Sequence, residues 1–167
     1  MGAAFMLLEA KSIVTFGLLF GTTWLTTALA IAGILAMVLG AVYVNHHGEI
    51  ARIGPWAGGL GAALAIVYAV PPETWVLASP VLRYASAATC ALSPVLFANV
   101  IFARLLKETT DTATSLASNA LGAVAGGVAE YLSLLVGYRN LLVVVAGFYV
   151  MAFAVRAASG RGVVREA

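Results

Sequence analysis

Residues Ser118 to Leu135 read SNALGAVAGGVAEYLSLL. The stretch is apolar enough for lipid, yet it holds an asparagine, three glycines and a carboxylate, Glu130. Wound as a helix, Ser115, Asn119, Gly122, Gly126, Glu130 and Ser133 fall within a stripe about 80° wide. Gly122 and Gly126 supply the small-xxx-small spacing that lets two helix backbones approach closely. The stripe therefore reads as a helix-packing face, with a ligand face as the alternative. Glu130 lies on it rather than towards lipid.

A charge at the bilayer centre costs about 2.5–3.5 kcal/mol on insertion scales, so Glu130 must be protonated, paired or near the interface. About six residues, or roughly 9 Å of rise, separate it from Gly137. That shallow placement favours a structural role over binding of a proton, a cation or a polyamine. Arg139, just beyond the turn, is the expected ion-pair partner, and such a pair would fix the turn.

The rest of the chain has the same character. Of its 167 residues 62% are hydrophobic and 10% charged, against about 45–50% and 25% in soluble domains. Mean hydropathy is +1.01. The class this composition defines is an integral membrane protein, with lipid as its first partner. Net charge is +2, and the thinly spread cations give no patch for nucleic acid. The single cysteine, Cys90, sits in an apolar run and reads as a small buried hydrophobe. The start, MGAAFMLLEAKS, has no basic region before its apolar residues and no small-residue cleavage site. It also has Met6 where a myristoylation signal needs a hydroxyl. Targeting is expected to rest on the spans themselves.

A span needs about 20 apolar residues. The uncharged run from Ser12 to Val44 is too long for one upright helix, and GLLFGTTW (Gly17–Trp24) marks a break. The reading is an all-α, polytopic membrane bundle forming one domain over 1–167, with five spans near 22–44, 57–71, 82–105, 116–136 and 141–155. Phe5–Phe20 is read as a partial re-entrant or interfacial segment. Pro94 is expected to kink the third span and release a backbone carbonyl, and GYRN (137–140) to be a tight turn. Arg52, Arg104, Lys107, Arg156, Arg161 and Arg165 gather on one side, and Lys11, Arg83 and Arg139 on the other. The positive-inside rule makes the first side cytoplasmic, with the C-terminus inside and the N-terminus outside.

Three stretches, FMLLEAKSIVTFGLLFGTTW (Phe5–Trp24), LSPVLFANVIFARLL (Leu92–Leu106) and SNALGAVAGGVAEYLSLLVGYRNLLVVVAGFYVMAF (Ser118–Phe153), support a resemblance. In order, they resemble the C-terminal membrane region of bacterial membrane-bound, fused spermidine synthase-like proteins. The resemblance implies a multi-spanning membrane unit in the bacterial inner membrane, joined to an aminopropyltransferase-type domain. This chain departs from that pattern. It shows no strand, glycine-rich turn and helix unit and no acidic residue placed to hold a ribose, so aminopropyl transfer is not carried over.

Other constellations are weaker. Glu9 and Lys11 read as interfacial anchoring. His46-His47 beside Glu49 lacks a third ligand at helical spacing, so no metal or cofactor is expected. No nucleophile elbow or zincin motif appears. Trp24, Trp56, Trp75, Tyr43 and Tyr138 read as interface belts. The function expected is that of a non-enzymatic structural or accessory subunit of a larger membrane complex, respiratory or photosynthetic in kind, or of a homo-oligomer. The alternatives are a small transporter or cation-binding module using Glu130, and the membrane half of a split enzyme.

Overall fold

The structure, a computed structural model, describes residues 1–48, 52–71, 74 and 79–163. Its helices are α1 (Gly2–Phe20), α2 (Trp24–His47), α3 (Gly54–Ala69), α4 (Pro80–Glu108), α5 (Thr112–Ala129), α6 (Ser133–Val136) and α7 (Leu141–Val163). One 3-10 turn, Glu130–Leu132, joins α5 to α6, and the three run on as Thr112–Val136. Among the described residues there is no strand, and five helices are long and apolar enough to cross a membrane. The chain is an all-α bundle of membrane-protein class.

Local chemistry sets the helix ends. Gly21 and Gly137 adopt φ of 87° and 82°, a left-handed region that glycine enters without a Cβ clash. They terminate α1 and α6. The Thr23 side chain accepts from the Thr26 amide at 3.2 Å and caps α2, and Asp111 does the same for α5 through the Thr114 amide at 3.0 Å. Such caps satisfy amides that have no partner inside the helix. Pro94 lies inside α4 and cannot donate to the Cys90 carbonyl. The Ser93 hydroxyl donates to that carbonyl instead, at 3.0 Å.

Helix directions follow from their contacts. Between α2 and α4, Tyr84 Oη donates to the Leu29 carbonyl, Gly33 meets Leu92, and Asn45 Nδ2 donates to the Val100 carbonyl. Residue numbers rise together, so these helices are parallel and α3 must carry the chain back between them. Between α1 and α4 the order reverses, with the Phe16 and Tyr84 rings in contact and Ser12 Oγ beside the Ala91 carbonyl. Against α5, α1 runs parallel: Gly2 meets Asn119, and Ala10 accepts from Tyr138 Oη. The result alternates up and down through six passes, with α5 to α6 counted as one.

This arrangement corrects two readings. The N-terminal segment is a complete 19-residue helix, long and apolar enough to cross a membrane and packed on α2, α4, α5 and α7. Ala4, Leu7, Leu8 and Phe16 from α1 are core residues. The span read near 57–71 is α3, short as its apolar run is: its 16 residues rise about 24 Å against a hydrocarbon layer of about 30 Å. With α1 a full pass, Met1 and the far end of α7 lie at the same end of the bundle, not opposite ends.

Backbone contact holds α1 to α5. A Cβ on Gly126 would stand 2.5 Å from the Ala3 carbonyl oxygen, and one on Gly2 would stand 1.8 Å from that of Asn119. Neither atom belongs to a flexible side chain that could move aside. In lipid, helix association rests on such van der Waals packing rather than on hydrophobic transfer. We expect Gly126→Leu to lower unfolding stability in detergent by on the order of 3 kcal/mol. Gly127→Leu, where a Cβ meets nothing within 4 Å, should stay within about 0.5 kcal/mol. Equal effects at the two positions would refute the contact.

Candidate functional site

The stripe on α5 divides into three parts. At its start, Ser115 Oγ lies 3.1 Å from Thr109 Oγ1 and lines an open cleft with Thr114, Ser118 and Asn119. Asn119 also reaches an inner cavity shared with Asn99 of α4 and Tyr149 of α7. In the middle, Gly122 and Gly126 take the backbone of Gly2 and Ala3. At the far end, Glu130 and Ser133 line a hollow with Gly127, Tyr131 and Leu134. The packing face is thus occupied by α1 of the same chain, and Glu130 stands beyond it at the 3-10 turn.

Arg139 does not pair with Glu130: among the described residues the ion pairs are Arg104–Glu108 at 3.2 Å and Arg156–Glu108 at 2.7 Å. Arg139 turns to α3 instead, where Nε donates to the Tyr68 carbonyl at 3.2 Å and the guanidinium lies 4.8 Å from the Tyr68 ring centre. Guanidinium stacks on an aromatic face through the ring quadrupole, and a backbone carbonyl satisfies one donor of its fork. The turn Gly137–Asn140 is fixed by α3 and α1, without a salt bridge.

Tyr138 provides the α1 side of that attachment. Its hydroxyl donates to the Ala10 carbonyl at 2.9 Å, and Lys11 Nζ lies 5.6 Å over its ring. Lys11 is only 7% exposed. The interfacial anchoring expected of it is therefore replaced by an inward position against an aromatic face. Trp24, 81% exposed, suits a belt position, whereas Trp56 packs on Phe97 with ring centres 5.9 Å apart. Trp75 and Glu49 lie outside the described residues. His46 and His47 meet edge to face at the end of α2, and among the described residues no group of three His, Cys, Asp or Glu is placed to hold a metal.

Two polar anchors join helices at the end of the bundle where α2 and α4 stop. Asn45, 5% exposed, donates to the Ala41 and Val100 carbonyls at 3.0 and 3.1 Å, and Lys107 Nζ donates to the Asn45 carbonyl. Glu108 bridges α4 to α7 through Arg156. Sequence reading singled out neither Asn45 nor the Asn99 and Tyr149 pair. Their only signal is a polar group inside an apolar run.

Compared with known proteins, the chain matches no family model, no curated protein and no solved structure.

Burial, and then the charge of Glu130, push the Tyr138 phenol above its ordinary range. An unfolded tyrosine loses its proton near pH 10. The folded phenol keeps its proton to higher pH, so it contributes full stability below about pH 10 and loses it as pH rises further. In detergent, the fall in stability between about pH 10 and 12 should therefore be shallower for Tyr138→Phe than for the parent chain. An unchanged slope would contradict the assignment.

Proposed function

We propose that the chain is a non-enzymatic integral membrane subunit that associates through its helix faces with other membrane subunits or with copies of itself. The observation that carries this reading is the outer face of α3. Gly54, Gly58, Gly61, Ala62, Ala65 and Ala69 are all exposed, and a Cβ at Gly54, Gly58 or Gly61 would meet nothing within 4 Å. Glycine in a helix interior costs roughly 0.5–1 kcal/mol relative to alanine. Gly122 and Gly126 offset that cost through contact with α1, and Gly59 of α3 takes the Phe97 ring; Gly54, Gly58 and Gly61 have no such contact among the described residues. A small-residue face on a short helix suits a neighbouring transmembrane helix, which also relieves mismatch with the bilayer.

The charge distribution supports an orientation. Arg52, Arg104, Lys107 and Arg156 belong to the end holding the α2–α3 and α4–α5 connections, and Arg83 and Arg139 to the other. By the positive-inside rule the first end faces the cytoplasm of a bacterial inner membrane, with the C-terminus inside. The resemblance to spermidine synthase-like membrane regions accords with a membrane unit working beside a separately encoded partner. Glu130, at a surface hollow, gives less support to a transport role.

Native mass spectrometry from mild detergent tests the proposal. The parent chain should appear in an assembly of fixed stoichiometry, and Gly58→Leu with Gly61→Leu should release the monomer. A parent chain that is already a lone monomer would overturn it.

A further inference from the structure

The inner cavity is built by four helices that do not all pack on one another. Because α5 leans on α1 and packs little on α4, a gap of about 80 Å³ remains, lined by Met1, Phe5, Ala98, Asn99, Phe102, Asn119 and Tyr149. Tyr149 is 4% exposed, and its buried hydroxyl has no hydrogen-bond partner among the described residues. Asn99 donates through Nδ2 to the Val95 carbonyl at 2.9 Å, which leaves its carboxamide oxygen as an acceptor. Asn119 adds a second carboxamide.

The cavity also has a way in. Met1, Phe102 and Asn119 line both it and the cleft of about 330 Å³ that holds Thr114, Ser115 and Ser118. One wall of the route is thus a run of hydroxyls and a carboxamide on α5, leading inward from the α4–α5 connection. The other wall is apolar, formed by Phe102, Leu105 and Leu106.

We propose that this pair of spaces is a hydrated half-channel ending in a pocket that binds water. Three facts set that chemistry. A buried phenol without a protein partner calls for one from solvent. The side chains lining the inner cavity supply two carboxamides and a phenol. Its volume of about 80 Å³ admits several waters, each needing about 10–15 Å³ of such space. The site lies away from Glu130 and from the outer face of α3, so it stands or falls apart from the subunit reading.

The test is cysteine accessibility in native membranes, with Cys90→Ala as background and a small neutral methanethiosulfonate as probe. Only a hydrated thiol forms the reactive thiolate readily. Ser118→Cys and Asn99→Cys should both be modified, with Asn99→Cys at least about tenfold faster than the core variant Leu92→Cys. An Asn99→Cys thiol as inert as Leu92→Cys, while Ser118→Cys reacts, would overturn the proposal and leave a shallow cleft. Tyr149→Phe gives a second readout. A hydrated hydroxyl makes this variant less stable, whereas a dry, unpartnered one makes it more stable, and a rise in Tm contradicts hydration.

Discussion

The backbone-to-backbone contact of α1 with α5 governs the rest of the architecture. Gly126 admits the Ala3 backbone, and Gly2 admits the Asn119 carbonyl, at distances that no side chain larger than hydrogen would allow. With that contact made, α1 becomes the central helix, touching α2, α4 and α7 as well. Its core residues, Leu7, Leu8 and Phe16, are then enclosed on every side. The same contact keeps α5 from packing on α4, and that is why a polar gap survives between them.

Two glycine faces have opposite fates. That of α5 is closed by the chain itself, and that of α3 is open. The first explains how a helix with exposed Leu121, Val124, Val128 and Tyr131 stays attached to the bundle at all. The second is a surface whose glycines are costly without a neighbour. Polar anchors complete the bundle at both ends, with Asn45, Lys107 and Glu108 at one and Tyr138 and Arg139 at the other. Each ties a side chain to a carbonyl or carboxylate of another helix, the form of bond that stays strong where water is scarce.

Much of this was legible in the sequence because helix ends and faces are local properties. The breaks at Gly21 and Gly137, the carbonyl freed by Pro94 and the stripe on α5 each follow from residues within one segment. The fate of α1 was not legible. Glu9 and Lys11 interrupt its apolar run and suggest an interface, but the α5–α7 turn brings Tyr138 against Lys11, and only the tertiary fold supplies that partner. Arg139 was misplaced for the same reason, since Tyr68 reaches it from a helix some seventy positions away. Asn99, Asn119 and Tyr149 sit on three different helices, so no periodicity could reveal their convergence.

The central claim is that residues 2–20 form a complete transmembrane helix at the heart of the bundle. Side-specific labelling tests it most directly, with a membrane-impermeant reagent and single reporters before Gly2, at Thr22 and after α7. The account predicts that the first and last are labelled from the same side of the membrane and Thr22 from the other. Labelling of the two ends of the chain from opposite sides, or of Thr22 from the same side as the reporter before Gly2, would contradict it.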